Sequence, residues 1–346
     1  MSTTAERDLQ SRSICFVGFS IPPYYTKNNK NLLFLHFITH KIMQQPSEEK
    51  LFSDFPKVTK QEWEKKILED LKGADYDENL VWHTQEGFDV RPYYCAEDMK
   101  HMKYPDGKPV EFPYIITGKK DLNEWVIRQD IQVDEPESAN RITQDIIRQG
   151  VTSPGLKFDN GVIDSEKTFS RLLKGILFND IILNLLTGKD SLKMIEYLTK
   201  EVNERKYNAN ELKGSIDFDP IGNVTVKGDF YTSPEDDFQY LKVLIERASK
   251  ELPLYKVVQV NGLNFSNAGA AIVQELAFAL SIGSEYLARL TDSGLNADDI
   301  ISRMQFVFGI GSNYFLEIAK FRAARQLWSK IIEAYGIDSS KSSGMF

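Results

Sequence analysis

The chain is poor in cysteine, has no long apolar run, and carries no excess of basic charge. Cys15 and Cys95 are the two cysteines among 346 residues, and they form no Cys-x-x-Cys pair. That excludes a zinc ribbon or dithiol motif and makes a reducing cytoplasm the expected compartment. No apolar stretch reaches the roughly 18 residues that cross a bilayer. Leu32 to Ile38 is the greasiest early segment, but it is short, far from Met1 and lacks a small-residue cleavage site, so it does not read as a signal. A mitochondrial address would be rich in Arg and poor in acids, whereas Arg7 and Arg12 stand among Glu6, Asp8, Glu48 and Glu49. Lys and Arg total 42 against 50 Asp and Glu, a net charge of -8. This excludes nucleic acid as the main partner. It still allows an anionic small ligand held by a few local cations.

What is present is a globular composition, 42% apolar and 27% charged, at a length that suits one barrel-sized domain or two smaller ones. Residues 1–46 show no sustained period and contain Pro22-Pro23, so poor order is expected there. Thr59 and Glu62 make a capping box, and Trp63, Ile67 and Leu71 repeat at helical spacing until Gly73. Residues 47–120 then read as a helix plus an extended arm, rich in aromatics, Pro and Gly, that packs on a partner. From Glu124 onward strands alternate with helices. Strands are expected at 125–131, 155–158, 174–178, 214–218, 255–260 and 303–308. The main helices are expected at 138–150, 191–207, 236–249, 268–288 and 312–335. The last should bury Leu316, Ala319, Ala323, Leu327 and Ile331. Repeated β-α units imply parallel strands with right-handed crossovers. Six units over 121–346 fall short of the eight that close a TIM-type barrel. The expected fold is therefore α/β, a TIM-type (β/α)8 barrel, incomplete at about six units, with an N-terminal arm.

In such a barrel, catalytic side chains project from the loops after the strands' C-terminal ends. Here the loop after strand 255–260 reads Asn261-Gly262-Leu263-Asn264-Phe265-Ser266-Asn267. It offers amides and a hydroxyl, none a good proton carrier near neutral pH. The site of an active barrel is in place without its chemistry.

Several long motifs carry a resemblance. They are Trp82 to Tyr94 (WHTQEGFDVRPYY), Trp125-Val126-Ile127-Arg128-Gln129, Ala268-Gly269-Ala270, Gln274-Glu275-Leu276-Ala277, and Glu317 to Arg325 (EIAKFRAAR) with Leu327-Trp328. In this order they resemble the methylmalonyl-CoA mutase family over about 47–336, most of all its small, β subunit. The resemblance implies a TIM barrel threaded by an acyl-CoA. It also implies interconversion of methylmalonyl-CoA and succinyl-CoA with adenosylcobalamin held by a separate C-terminal domain.

Carried over residue by residue, the family's catalytic Tyr-His pair falls on Leu263 and Asn264. Its Thr-Ile-Arg-Gln-Tyr strand becomes Val126, Ile127, Arg128, Gln129 and Asp130. Its Thr-Ile-Gln segment becomes Ser215, Ile216 and Asp217, and no arginine follows in Gly222 to Gly228. Its Arg-Leu-Ser segment becomes Arg303, Met304 and Gln305. None of His36, His40, His83 and His101 sits in the family's Asp-x-His-x-x-Gly cobalamin motif. The implied role is a non-catalytic subunit with no catalytic or metal residue of its own. Its vestigial substrate positions are Arg128, Gln129, Ser215, Asp217, Asn264 and Arg303. Adenosylcobalamin would belong to the holoenzyme and not to this chain alone. The large catalytic subunit would be its partner in a heterodimer, with acyl-CoA a candidate ligand and no membrane contact. Two alternatives stand beside it: a barrel active with a cobalamin domain on a separate chain, and a stand-alone acyl-CoA-binding module.

Each position also has a plainer reading. Arg128 and Arg303 are relics of a CoA phosphate site, or they pair with barrel-end acids such as Asp130. Asn264 contacts a ligand or caps a helix. Gly309-Ile310-Gly311 cradles a phosphate, or serves tight strand-helix packing. Asp217-Phe218-Asp219 faces both carboxylates one way for a metal, or is structural, with no histidine nearby.

Overall fold

A computed structural model of the chain describes residues 54–56, 58–102, 125–158 and 161–337. The expectations for residues 1–46 and for the arm beyond Met102 lie outside the described residues. The chain divides at Tyr76 into two units. In the first, α1 (Lys60–Asp70) opens with the anticipated capping box. Thr59 Oγ1 accepts from the Glu62 N–H and Glu62 Oε2 from the Thr59 N–H.

In the second unit a short antiparallel hairpin, β1 (Trp82–His83) and β2 (Asp89–Val90), follows a single helical turn at Tyr76–Leu80. The αβ repeat follows: β3 (Arg128–Gln132), α2 (Pro136–Arg148), β4 (Ser153–Lys157), α3 (Glu166–Leu172), β5 (Leu183–Leu186), α4 (Ser191–Glu204), β6 (Gly214–Phe218), α5 (Pro220–Lys227), α6 (Pro234–Glu251), β7 (Tyr255–Asn261), α7 (Leu263–Asn267), α8 (Ile272–Asp292), α9 (Ala297–Arg303), β8 (Met304–Val307) and α10 (Tyr314–Ala334). The six strands β3 to β8 pair in parallel and in sequence order. This is the expected α/β architecture, a part of a TIM-type barrel with six strands among the described residues, running from β3 to β8.

The helices bury one face against the sheet because their apolar residues recur at helical spacing. Leu241, Leu244, Ile245 and Ala248 of α6 are fully buried, as are Tyr286, Leu287 and Leu290 of α8. On the sheet they meet Leu185, Ile216, Val258 and Val260, equally buried. Gly214 lets β6 come close to its neighbours, since a Cβ there would overlap the Leu183 carbonyl oxygen and the Tyr255 ring.

Four elements differ from expectation. The strand placed at 174–178 is a turn and the short 3-10 turn Phe178–Asp180; the third strand of the repeat is Leu183–Leu186. Gly175 takes φ 75°, in the left-handed region that extended strands do not use. Asn140 Nδ2 on α2 donates to the Leu172 and Lys174 carbonyls at 2.7 and 2.9 Å, so these groups are satisfied outside the sheet. The loop at 261–267 contains α7, and the helix placed at 268–288 runs from Ile272 to Asp292, after Gly269 turns at φ 93°. Arg303 ends α9 and does not begin the strand. In α10 the buried side is Glu317, Lys320, Ala324, Trp328 and Ile332. That is one residue round from the expected stripe, and Leu327 remains 42% exposed. The cause is polar: Lys320 on the buried face binds two glutamates, which no hydropathy pattern reports.

Candidate functional site at the strand C-terminal ends

A cavity of about 740 Å³ opens over the C-terminal ends of the strands, the end at which αβ barrels hold their sites. Its lining includes Lys157, Lys189, Lys227, Asp217, Asp219 and Gln259. Lys157 ends β4, and Lys227 lies in the last turn of α5. Asp219 is held there by the start of α5. It is the N-cap, its Oδ1 accepts from the Gly222 N–H at 2.8 Å, and Pro220 takes the first helical turn. Tyr286 of α8 donates to the same oxygen at 2.5 Å and accepts from the Ile221 N–H. Burial pushes the Asp219 carboxyl up to about 6 against the pull of Tyr286.

Below the cavity, side chains of successive strands meet inside the curved sheet. In one layer Ser215 Oγ donates to Asn184 Oδ1 at 3.0 Å, and Asn184 Nδ2 donates to Ser153 Oγ at 2.8 Å. In the next, Asp217 is the centre. Gln305 Nε2 donates to its Oδ1 at 2.9 Å. Gln259, with its amide turned to donate, reaches both carboxylate oxygens. Arg128 Nη2 stands 3.8 Å from Oδ2. Arg128 is also tied to Asp130, through Nε at 2.8 Å. The Asp130 carboxylate occupies the space that a Cβ at residue 155 would take, so Gly155 leaves room for it. Burial pushes the Asp217 carboxyl up to about 6, with Arg128 acting in the opposite direction. Asp217 and Asp219 draw no third ligand, for no group of three or more His, Cys, Asp or Glu able to hold a metal occurs among the described residues.

Of the positions singled out in the sequence, Arg128, Ser215 and Asp217 come together in the lumen. Gln129, next to Arg128 on the same strand, alternates to the other side of the sheet. Asn264 lies half-buried within α7, whose N-cap is Gly262. Arg303 stands at the opposite end of the sheet, before β8 begins, where it donates to Ser249 and to the Pro253 carbonyl. Gly309 and Gly311 have their N–H groups on Glu275 and Glu317, at 2.6 and 2.8 Å, so neither is free to cradle a phosphate. Sequence reading missed Gln259, and it named Gln305 by motif without a place among the candidate site residues. Alternation along β7 and β8 places them on the lumen side, and that was the available signal.

The described residues contain no helix long and apolar enough to cross a membrane. The family model for methylmalonyl-CoA mutase matches residues 159–346. The chain is 41% identical over 294 residues to the methylmalonyl-CoA mutase small subunit of Porphyromonas gingivalis, an alignment covering 84% of this chain and 46% of that one. It is 28% identical over 308 residues to the methylmalonyl-CoA mutase of Rhizobium meliloti, covering 82% and 43%. With the human mitochondrial methylmalonyl-CoA mutase it shares 26% over 341 residues, covering 91% and 44%. The chain thus spans somewhat less than half the length of these curated relatives. The family match over more than half of the chain, together with 41% identity over 84% of it, places this chain in the methylmalonyl-CoA mutase family.

Proposed function

We propose that this chain is the barrel portion of a mutase small subunit, which supports a large catalytic subunit in a cytoplasmic heterodimer and does not itself rearrange substrate. The observation that carries this is the charge inside the lumen. Arg128 is already engaged by Asp130 and Asp217. An acyl group ending in a carboxylate would meet those two acids and find no uncommitted guanidinium, which is the group suited to bind it in bidentate fashion. The loop after β7 presents Leu263 and Asn264 where the family carries its Tyr-His pair, so proton transfer and strong polarisation of a thioester both lack a donor. The residues named as lining the cavity include no imidazole, and His83 is committed to Asp89 at 2.7 Å in the β1–β2 hairpin. This donor set does not fit a cobalamin's lower ligand, so the coenzyme is assigned to another part of the assembly. The arm within 47–120 is the proposed docking element.

The direct test is turnover by the purified chain supplied with adenosylcobalamin and methylmalonyl-CoA. No succinyl-CoA is expected, and measurable product would overturn the reading. A stand-alone acyl-CoA-binding role has one support of its own. Lys157, Lys189 and Lys227 line the cavity without an ion pair among the described residues, and they suit an anionic tail. Calorimetric titration of the same preparation with CoA separates the two, because the subunit reading needs no binding.

A further inference from the structure

Lys157, Lys189 and Lys227 line the cavity of about 740 Å³ from three neighbouring β-α connections, and all three are exposed. Lys157 ends β4, Lys189 follows β5, and Lys227 closes α5 after β6. These strands are adjacent in the sheet, Lys157 lying level with Leu186 and Leu186 with Asp217. None of the three lysines forms an ion pair among the described residues. Asp237 feels the Lys189 charge, but its two oxygens accept from the Tyr231 and Thr232 N–H groups at 2.8 and 3.1 Å. Those bonds hold Tyr231, whose ring stacks on Phe218 at 5.0 Å. The Tyr231 hydroxyl lines the same cavity and makes no hydrogen bond among the described residues. It lies beside the turn that carries Lys189, 3.4 Å from where a Cβ on Gly188 would stand. That turn is fixed in its own right, because the Lys189 carbonyl accepts from Tyr240 at 2.7 Å. Of the acids in the lining, Asp217 is bonded to Gln305 and Asp219 to Tyr286 and the Gly222 N–H, which leaves Asp229 exposed.

We propose that Lys157, Lys189 and Lys227, with the Tyr231 hydroxyl, form a site for a small phosphate-bearing anion. A cavity of this volume suits a small-molecule ligand. The lining holds three ammonium groups and no arginine. An ammonium acts on a phosphate as a point charge, whereas a carboxylate is better matched by the fork of a guanidinium. The buried acids Asp217 and Asp219 repel an anion, so it stays with the exposed lysines. The site rests on this cavity alone and not on the subunit reading.

The test is equilibrium dialysis of the full-length protein, in the assembly in which it purifies, against radiolabelled inorganic pyrophosphate in about 0.15 M sodium chloride. Saturable binding is expected. Lys189→Gln together with Lys227→Gln should weaken it about tenfold or more, and Tyr231→Phe severalfold. Lys213→Gln is the control, because this exposed lysine precedes β6 at the opposite end of the sheet, and binding should be unchanged. Exposed lysines are replaced, so the double variant should melt as the parent does; if it does not, the single lysine variants are read instead. Displacement of pyrophosphate by ADP would assign the site to nucleoside phosphates, and its failure to the free anion. No saturable binding, or binding as tight in K189Q/K227Q as in the parent, would overturn the proposal. Pyrophosphate carries neither thioester nor carboxylate, so that failure leaves turnover and pairing with a large subunit as separate results.

Discussion

Lys320→Met is expected to destabilise the fold by about 3–5 kcal/mol, the range found when one partner of a buried ion pair is removed. Lys320 Nζ is 2.8 Å from Glu275 Oε2 and 2.6 Å from Glu317 Oε2, and the three side chains are 0%, 2% and 9% exposed. The same nitrogen donates to the Gly309 carbonyl at 2.6 Å. Each glutamate turns its other oxygen to a loop N–H, Glu275 to Gly309 and Glu317 to Gly311. The cluster therefore joins α8, α10 and the β8–α10 loop. Methionine matches lysine in bulk but leaves two buried carboxylates facing each other with no cation. Changing Glu275 and Glu317 to glutamine in the same protein should recover most of the loss, since the loop N–H groups keep an acceptor. Urea unfolding of the single and triple variants measures both. A loss below about 1 kcal/mol for K320M would place it among exposed ion pairs and contradict the burial argument.

Asp217→Asn should stabilise the protein increasingly as pH rises from about 4 to 7. Asp217 has its carboxyl raised from 3.8 to about 6 by burial. Between those values the folded state holds a proton that the unfolded state has released. Folded-state stability therefore falls as pH climbs through the window, and the penalty is complete above the folded value. About two pH units correspond to roughly 3 kcal/mol. The charged groups facing Asp217 are Arg128, which opposes the rise, and Asp130, which adds to it. Asp219, also near 6, feels the Asp217 charge and should titrate lower once that charge is gone. Asparagine keeps one acceptor for Gln305, and Gln259 can turn its amide to accept. The difference in unfolding free energy between variant and parent, measured at pH 4.5 and pH 7.5, should grow by up to about 3 kcal/mol. A difference independent of pH would mean that Arg128, Gln259 and Gln305 offset the desolvation of Asp217 in full.

Much of this fold was legible because local signals agreed with the tertiary answer. Thr59 and Glu62 announced α1, the Val/Ile/Leu-rich segments gave five of the six parallel strands, and the alternation of strands with helices gave the class. The misplaced strand at 174–178 shows where pattern reading stops. Ile176-Leu177-Phe178 is as apolar as Ile181 to Leu186, and what separates them is Gly175 at positive φ and the reach of Asn140 from another helix. In α10 the buried face was misjudged by one residue because its buried side is built on Glu317 and Lys320, which score as polar. Asp219-Pro220, just past the expected strand 214–218, is a helix's beginning. At the site, Arg128, Ser215 and Asp217 were singled out through the family resemblance. Strand alternation puts Gln259 and Gln305 on the lumen side, but their bonds to Asp217 become visible only once β6, β7 and β8 are laid side by side. Arg303 was assigned by motif alone, and the helix α9 that precedes β8 carries it to the other end of the sheet.

The measurement that tests the subunit reading most directly is size-exclusion chromatography of this chain with a methylmalonyl-CoA mutase large subunit at matched concentrations. The account predicts one shared peak of heterodimer size. Separate peaks, with this chain monomeric or self-associated, would contradict it.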